Sequence, residues 1–479
     1  MNYRIIENFL LLAAVPRKSH HEERVSRFLY DWALSKGLSA ERDEAGNVII
    51  EKGASAGAEN APLTILQAHM DMVTVWEDGK KFDPLTDPIA VIDDGETLRA
   101  LGTSLGADDG IGVAIAMTIL EDPAAVHGPL RAIFTVNEED GMTGAESLDE
   151  RHLKGKYLIN LDWEQYGSLC CSSAGSDQYH FTRKPQWNPV REGVAFTVSA
   201  QHFTGGHSGT AIHCGRANAI RTVAGMIDAA IRIGVPVQLA SFIGGSAHNA
   251  IPDSASATVV VPQADWPCFL SVADAEAVTR RAACAETDPD AEITVKMLDT
   301  LPKKAVSEED TSAYINIMST VPNGVRTMSA AIPGLVESSS NLGVAELTED
   351  AMTFIVHPRS CEPARMDEMR ELFGNAARTH GFDRRILMNA PAWPVRPGSA
   401  LVELCTRHFT DISGTKMKVE PVHAGLECGS WARKNPELDI ISIGPDILDI
   451  HSPRETLVLS TVYDCGELVR RILKDISEK

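Results

Sequence analysis

Residues 63–75, LTILQAHMDMVTV, form an apolar run with the composition of a strand, and this run carries His69 and Asp71 near its far end. Side chains two positions apart in an extended chain point to the same side, so a strand would present both polar groups together. A carboxylate beside an imidazole fixes the tautomer of the ring and leaves its other nitrogen free as a base or a metal ligand. This stretch alone is equally compatible with a strand end that carries two solvated polar residues.

Acidic residues follow two later apolar segments in the same way. A strand predicted at 131–136 is followed by Glu138 and Glu139, and the run KYLINL at 156–161 is followed by Asp162. Adjacent acids repel one another unless a cation or solvent compensates their charge. In an open α/β sheet, ligands collect outside the carboxyl ends of the strands. The pattern therefore indicates a site for hard or borderline cations at one edge of a sheet.

A small-residue helix is predicted in the segment LGTSLGADDGIGVAIAMTIL, residues 101–120, and it suits packing against a sheet. Asp108 and Asp109 stand directly before Gly110, at the entrance of this helix. A helix N-terminus favours acidic residues, so a capping role alone also accounts for an Asp at this point. Nearer the N-terminus, Ser19 followed by Glu22 is typical of a capping box that opens a second helix.

Length and composition restrict the class of protein. A chain of 479 residues exceeds a comfortable single core, so two domains are expected. The formal net charge of −22 argues against nucleic acid or an anionic membrane as a partner. Nine cysteines form an odd, scattered set without a CxxC motif, which fits reduced thiols in a cytoplasmic enzyme better than a disulfide framework.

The N-terminal apolar run FLLLAAV, residues 9–15, has the composition of a short signal core. Glu7 interrupts its approach, however, and residues 2–4 supply little positive charge, so an amphipathic opening helix is the better interpretation. No apolar run of the sequence approaches the ~18–20 residues that a membrane span needs. We therefore expect a cytoplasmic protein without a membrane partner.

The candidate ligands form a mixed set of imidazoles and carboxylates without cysteine, which suits zinc, manganese or cobalt. An Asp in the middle of such a set can bridge two ions about 3.5–4 Å apart, and a free carboxylate beside it can accept a proton from water. The late His451 alone is more typical of a surface or core residue. The five candidates are His69, Asp108, Glu139, Asp162 and His451.

The whole chain resembles the bacterial aminoacyl-histidine (Xaa-His) dipeptidases of the peptidase D type, which belong to the clan of di-zinc aminopeptidases, carboxypeptidases and aminoacylases. The resemblance implies an α/β catalytic domain with a central mixed sheet flanked by helices, formed by residues 1–180 and 392–479. It implies an inserted α+β lid or dimerisation domain at 181–391. The motifs that carry it are QAHMDMV, LGADDGIGVA, NEEDGMTGA, NLDWEQYG, GGHSGTAIHCGRANA, GGSAHNAIP, HAGLECG and GPDILDIHSP.

Matched position by position, the resemblance implies a centre of two divalent ions, with zinc expected and cobalt or manganese as alternatives. His69 and Asp162 would bind one ion, Glu139 and His451 would bind the other, and Asp108 would bridge the two.

The same resemblance implies roles for five further residues. Asp71 would orient His69, and Glu138 would act as general base and later as proton donor. His207, in the GGHSG loop, would stabilise the oxyanion in its own site or in that of the partner in a homodimer. Asn249 and Arg359 would contact a small peptide substrate, and Arg359 is suited to a free α-carboxylate.

Alternatives remain at several positions. The GGHSG loop is also compatible with a simple turn, and His213 and His248 are more typical of structural or rim residues. Glu427 could contact the metals or the substrate amine, whereas Ser208 lies outside a GxSxG motif, so a serine hydrolase has little support. Trp163, where the family pattern has a small residue, and His248, where relatives often have Arg, put the preference for a C-terminal histidine in doubt.

The expected activity is metal-dependent hydrolysis of dipeptides of the Xaa-His type by a metal-bridged water with a Glu general base. The nearest alternatives are a tripeptidase, a carboxypeptidase or an N-acyl amino acid deacylase. A metal- or peptide-binding protein without activity is a different class of function. Its signature would be a missing ligand or base, and every expected ligand and the base are present in the sequence.

Overall fold

The structure, a computed structural model, describes residues 2–190, 192–329 and 334–478. The chain forms two compact units. The first unit contains the residues up to Ser173, Trp393–Pro421 and the residues from Leu426 onward, and the second contains Ala174–Ala392 and Val422–Gly425. Among the described residues, no helix is long and apolar enough to cross a membrane.

The first unit begins with a segment of alternating helices and strands. Its elements are α1 (Asn2–Ala13), α2 (Glu23–Ser35), β1 (Ser39–Arg42), β2 (Val48–Lys52), β3 (Thr64–His69), β4 (Val91–Asp93), β5 (Thr97–Ala100), α3 (Ala107–Glu121), β6 (Leu130–Thr135), α4 (Thr143–Ser147), β7 (Tyr157–Asn160) and β8 (Ser168–Ser173).

The second unit is formed mainly by long antiparallel strands. Its elements are β9 (Gly175–Arg183), β10 (Trp187–Pro189), β11 (Val194–Gln201), β12 (Gly206–His207), α5 (Ala219–Arg232), β13 (Gln238–Gly244), β14 (Ala250–Ile251), β15 (Ala255–Val261), α6 (Trp266–Ala283), β16 (Glu292–Met297), β17 (Lys304–Val306), α7 (Glu308–Thr320), β18 (Gly324–Met328), β19 (Val336–Leu347), β20 (Met352–Ser360), α8 (Pro363–His380) and β21 (Asp383–Ala390).

The chain then returns to the first unit. The remaining elements are α9 (Ala400–Ser413), β22 (Lys418–Val422), α10 (Cys428–Lys434), β23 (Asp439–Ser442), β24 (Ile447–Leu448), β25 (Thr456–Val458) and α11 (Leu459–Ser477).

The main sheet of the first unit has the strand order β1-β2-β6-β3-β7-β23-β8-β22. Its four central strands, β6, β3, β7 and β23, run parallel, whereas β1, β2 and β8 pair in the antiparallel sense. The carboxyl ends of the parallel strands therefore meet at one edge, which is where an α/β sheet binds its ligands. The predicted α/β class with a central mixed sheet is confirmed.

Helix α3 is fixed firmly against this sheet. Every residue from Ala107 to Leu120 is buried. The side chains of the helix itself are small or apolar on all of its faces, as is typical of a helix buried on every side. The helix packs against α1 and β3. A Cβ atom at Gly112 would lie 2.2 Å from the Asp109 carboxylate and 2.8 Å from Leu161, so only glycine allows this close approach.

The second unit is an α+β fold built around one sheet with the order β16-β11-β15-β13-β19-β20-β9-β21, with β18 paired to β19. Its apolar core lies between this sheet and its helices, which include α5, α7 and α8.

The boundaries of the second unit differ from those expected from the sequence at 180/181 and 391/392. Residues 174–180 belong to the second unit because β9 begins at Gly175 and pairs with β20 and β21. The segment Val422–Gly425, expected in the catalytic domain, also belongs to the second unit. The N–H of Ala174 donates to the carbonyls of Val422 and Ala424 at 3.1 and 3.0 Å, and these long-range bonds have no local sequence signal.

Candidate active site

Five predicted metal ligands occupy the carboxyl-end edge of the first unit's sheet. His69 is the last residue of β3, Asp162 follows β7 by two residues, and Glu139 lies in the loop after β6. Asp108 precedes the regular turns of α3 with non-helical dihedral angles (φ −78°, ψ 113°), and His451 lies in a turn after β24. Strand ends and loops thus position all five, as expected for a site on a parallel sheet.

The five side chains form two groups that share Asp108. In the first group, Nε2 of His69 lies 3.1 Å from Oδ1 of Asp108 and 3.4 Å from Oδ1 of Asp162. In the second group, Nε2 of His451 lies 3.2 Å from Oδ2 of Asp108 and 3.0 Å from Oε2 of Glu139. Each oxygen of the Asp108 carboxylate therefore faces a different histidine.

These spacings fit a pair of divalent cations. Two donor atoms bound tetrahedrally at about 2.0–2.1 Å from one ion are separated by about 3.3 Å, which is close to the distances within each group. The ligand atoms of each group lie within 4.8 Å of one another, and each group could hold one metal ion. A carboxylate with one oxygen in each group has the geometry that a bridge between two metal ions requires.

The charges of the centre also favour cations. Burial opposes ionisation of Asp108, yet its hydrogen bonds with His451 and His69 hold its pKa below the ordinary value. Hydrogen bonds with Asp108 and Glu139 raise the pKa of His451 to about 11. Without a cation, the carboxylates thus draw a proton onto the imidazole, and a bound cation would take the place of that proton.

Glu138 stands beside the ligands without belonging to either group. Burial raises the pKa of its carboxyl well above the ordinary value; the charge of His69 opposes this rise, and the charges of Asp162 and Glu139 add to it. A carboxyl with a raised pKa accepts a proton more readily than an ordinary carboxylate does, as a general base that later acts as an acid requires.

Asp71 connects the strand end of His69 to the Glu138 loop. Its Oδ1 atom lies 3.4 Å from Nδ1 of His69 and accepts a 3.0 Å hydrogen bond from the N–H of Glu138. Its Oδ2 atom accepts from the N–H of Glu139 at 3.3 Å and from Oγ of Ser19 at 2.8 Å. Burial would raise the pKa of Asp71, but its interactions with His69 and these N–H groups lower it, so the side chain remains an acceptor.

The predicted capping box at Ser19 and Glu22 is wrong. Glu22 is the N-cap residue of α2, and no side chain caps the helix. The Ser19 hydroxyl instead donates to Asp71, and Glu22 Oε1 accepts from the N–H groups of His20 and Asn137 at 2.8 and 3.1 Å. The sequence pattern has no signal for these partners, because Asp71 and Asn137 lie far along the chain.

Asp109 and Glu427 have structural partners instead of a place among the ligands. Asp109 Oδ1 accepts from the N–H of Gly112 at 3.1 Å, so the capping role weighed for the Asp108–Asp109 pair belongs to Asp109. Glu427 is buried, and its Oε2 accepts from Gln67 Nε2 at 2.6 Å and Thr135 Oγ1 at 2.8 Å. Burial raises its pKa to about 7.

His207 and Asn249 lie close together within the second unit. His207 pairs with Ala250 between the short strands β12 and β14, and the N–H of Ser208 donates to the Asn249 carbonyl at 2.7 Å. Nδ1 of His207 is the acceptor for the N–H of Thr210 at 3.1 Å. This bond places the ring proton on Nε2, so the imidazole presents an N–H donor there.

Arg359 lies in a cluster of histidines on the β19–β20 pair. It is buried on β20 opposite Ser339, and its Nε atom has no hydrogen-bond partner. Nε2 of His423 lies 2.7 Å from the Ser339 hydroxyl, and the rings of His248 and His357 have centroids 4.9 Å apart. Burial, together with the charge of Arg359, lowers the pKa of each of these three histidines, so they are neutral at pH 7.

The structure therefore groups the predicted residues by unit. The five ligands, Asp71 and Glu138 assemble within the first unit. His207, Asn249 and Arg359 lie within the second unit, together with His248, for which the sequence indicated a structural or rim position. His213 is exposed, and its Nε2 atom lies 3.7 Å from Sγ of Cys214.

Comparisons with known proteins identify the family of the chain. Residues 65–475 match the sequence model of peptidase family M20/M25/M40. The chain is 32% identical to the cytosol non-specific dipeptidase of Escherichia coli over 478 residues, which cover 98% of this chain and 97% of the relative.

Solved structures give the same assignment. An aminoacylhistidine dipeptidase from Vibrio alginolyticus matches with a TM-score of 0.90 and 31% identity, over 98% of this chain and 96% of that one. The fold alone is shared with an aminopeptidase from Bacillus cereus, at a TM-score of 0.57 and 16% identity over 99% of each chain. The chain therefore belongs to peptidase family M20/M25/M40 and is a metallopeptidase of that family.

Proposed function

We propose that the protein is a dipeptidase that hydrolyses small peptides with a free C-terminal carboxylate, including peptides of the Xaa-His type. The observation that carries the proposal is the position of Asp108, whose two carboxylate oxygens lie 3.1 and 3.2 Å from Nε2 of His69 and Nε2 of His451. This geometry favours a bridge between two cations.

The bound cations would polarise the scissile carbonyl and lower the pKa of a water molecule. His69 and Asp162 would hold one cation, His451 and Glu139 the other, and Asp108 both. Glu138 accepts the proton of the attacking water and later donates it to the nitrogen of the leaving amine. Burial raises the pKa of this carboxyl above its ordinary value, which favours its acceptance of the proton from water.

His207 is proposed to stabilise the negative charge that develops on the carbonyl oxygen. Its Nδ1 atom accepts N–H bonds from the loop, so its Nε2–H is free to donate. Burial and the charge of Arg359 lower its pKa to about 4, which keeps the ring neutral at pH 7. A neutral imidazole donates a hydrogen bond to the oxyanion and keeps its own proton. His207 could serve this chain or a partner copy.

Arg359 is proposed to bind the substrate α-carboxylate, with Asn249 as a further polar contact. The guanidinium is buried and its Nε–H has no partner, which leaves a donor for a planar anion. The neighbouring imidazoles of His248, His357 and His423 are neutral and add donors without a competing acid. A C-terminal carboxylate requirement would restrict the enzyme to peptides whose C-terminus is unblocked.

Zinc is proposed as the metal, because two imidazoles and three carboxylates without thiolate fit a catalytic zinc pair. The cytoplasm is proposed as its location, in line with the relative named as a cytosol dipeptidase. A homodimer formed through the second unit is proposed as the assembly. The strand β21 ends that unit's sheet and exposes Ile386 and Leu387, and such an edge can pair with a second copy.

Metal analysis coupled to a peptide panel tests the proposal. The panel contains Xaa-His and other dipeptides, tripeptides and acetylated amino acids, each assayed with and without a chelator. We expect two equivalents of metal, chelator-sensitive hydrolysis of dipeptides and little hydrolysis of the other two classes. Preference for tripeptides or acetylated amino acids would replace the proposed substrate, and bound metal without hydrolysis of any substrate would reject the enzymatic function.

A further inference from the structure

Two buried residues of opposite charge hold the loop that carries Asp108. Glu455 and Arg17 are each 2% exposed and lie far apart in the sequence. Neither belongs to the two groups of metal-ligand side chains. Their contacts nevertheless converge on the segment from Leu105 to Asp108.

Glu455 accepts hydrogen bonds from the backbone N–H groups of four consecutive residues. Its Oε2 atom accepts from Leu105 at 2.7 Å and Gly106 at 2.9 Å, and its Oε1 atom accepts from Ala107 at 2.7 Å and Asp108 at 3.3 Å. Four donors around one carboxylate fix both the position and the rotation of the loop. A neutral amide could not replace this group, because one of its two ends is itself a donor.

Arg17 binds the same loop through a carbonyl oxygen. Its Nη2 atom donates to the carbonyl of Gly106, and its Nη1 atom donates to the carbonyls of Met70 and Asp71 at 3.2 and 3.0 Å. A Cβ at Gly106 would lie 2.5 Å from Nη2, and the residue has a φ of +69°, so glycine is required for this contact.

The two residues connect Asp108 to different sides of the metal centre. Arg17 joins the Asp108 loop to the segment that directly follows His69. Glu455 joins the same loop to the turn that contains His451, which precedes Glu455 by four residues. The Glu455 N–H donates to the Ser452 carbonyl at 3.1 Å, which fixes that turn to the carboxylate. Arg17 therefore connects Asp108 to the ligand group that contains His69, and Glu455 connects Asp108 to the group that contains His451.

We infer that Arg17 and Glu455 are positioning residues for the metal centre, with Arg17 setting the subsite of His69 and Glu455 setting the subsite of His451. The inference rests on the proposed two-metal function and deepens it. A purely structural role would predict a general loss of stability, with both metals affected alike. Separate positioning roles predict that each substitution weakens mainly one metal.

Calorimetric titration of the metal-free full-length protein with Zn²⁺ alone distinguishes these possibilities. We expect two equivalents in the unsubstituted protein. Glu455→Gln should weaken one equivalent by about tenfold or more, the range seen when a group that orients a ligand is lost. Arg17→Lys, which keeps the charge but not the planar fork, should weaken the other equivalent. Addition of excess Zn²⁺ should restore the occupancy of each weakened subsite.

Ligand variants identify which equivalent is affected. His451→Ala should leave one equivalent, and adding Glu455→Gln to it should weaken that equivalent less than adding Arg17→Lys does, although Asp108 contributes to both subsites. His69→Ala combined with Arg17→Lys should behave in the same way for the other subsite. Glu455→Asp, which keeps the charge on a shorter side chain, replaces Glu455→Gln if that variant does not fold.

Glu121→Gln is the matched control, because Glu121 is an ion-paired carboxylate of the first unit at the other end of α3. The control should lower the thermal midpoint and leave both equivalents intact. Equal weakening of both equivalents by each variant, or unchanged binding of both, would overturn the positioning roles. Fewer than two equivalents in the unsubstituted protein would instead contradict the proposed two-metal function.

Discussion

Oδ1 of Asp71 lies 3.4 Å from Nδ1 of His69, on the opposite edge of the ring from the Nε2 atom that faces Asp108. The carboxylate is buried and also accepts hydrogen bonds from the N–H groups of Glu138 and Glu139. Asp71→Asn should therefore reduce metal affinity by about ten- to a hundredfold and lower kcat, because the amide no longer fixes the ring and the loop together. Metal titration and steady-state kinetics measure the two effects.

Ser19→Ala serves as the comparison for Asp71, since it removes one hydrogen bond to Oδ2 and retains the carboxylate. Its metal affinity should remain within a few-fold of that of the unsubstituted protein. If Asp71→Asn behaves like Ser19→Ala, the carboxylate does not orient His69.

Glu138→Gln should remove nearly all turnover and leave both metal equivalents in place. The substitution keeps the size of the side chain but abolishes proton transfer, which contributes about 10²–10⁴-fold to a hydrolytic rate. Metal content and kcat are measured on the same preparation. Asp140→Asn is the control in the same loop, because the Asp140 side chain is exposed and contacts the exposed ring of His20.

His207→Ala should lower kcat by about 10²–10³-fold with little change in KM, as for the loss of one oxyanion donor. Because burial and the charge of Arg359 lower the His207 pKa to about 4, the ring is neutral above that pH. The ratio of the two rates should therefore stay constant from pH 6 to pH 8. A ratio that changes through this range would assign the residue a titrating role, and His213→Ala, at an exposed position, is the control.

Arg359→Met should raise KM for a dipeptide by about ten- to a hundredfold, which corresponds to one charge-assisted hydrogen bond. The C-terminal amide of the same dipeptide should be a poor substrate for both proteins, with no further loss in the variant. Arg365→Met, which removes an exposed arginine from α8, should leave KM unchanged. An equal loss on the acid and the amide would place Arg359 away from the carboxylate.

Glu121→Gln should destabilise the first unit on the order of 2 kcal/mol at pH 7. Burial would raise the pKa of Glu121, but Arg4, Lys36 and Asn8 lower it to about 2 from 4.5. A lowered carboxyl pKa stabilises the fold above pH 4.5, and this contribution is lost as the pH falls through about 2. The difference in thermal midpoint between the two proteins should therefore be largest at pH 7 and shrink toward pH 2.

The sequence indicated the edge of the sheet at which the acids meet, because parallel strands bring their carboxyl ends together whatever their spacing along the chain. It could not separate the roles of Asp108 and Asp109. Both are acids at one helix entrance and both have non-helical dihedral angles. Only the tertiary structure shows that the Asp108 carboxylate faces the two histidines, whereas Asp109 accepts from the N–H of Gly112.

Local sequence patterns could not predict hydrogen bonds between residues that lie far apart in the chain. Ser19 and Glu22 have the spacing of a capping box, yet tertiary hydrogen bonds to Asp71 and Asn137 override the local preference. The placement of His423 within the second unit depends in the same way on distant backbone bonds to Ala174 and on Ser339.

The strand order β7-β23-β8 has a consequence for how the protein must fold. β7 and β8 are close in sequence, but β23 separates them in the sheet and follows the entire 174–392 insertion. During synthesis, β7 and β8 are complete before residues 439–442 have been made. Until then, the position between these two strands is empty or is occupied by an incorrect strand. Pairings between such distant segments form slowly and leave strand edges exposed meanwhile. We therefore expect aggregation to compete with folding while this sheet assembles.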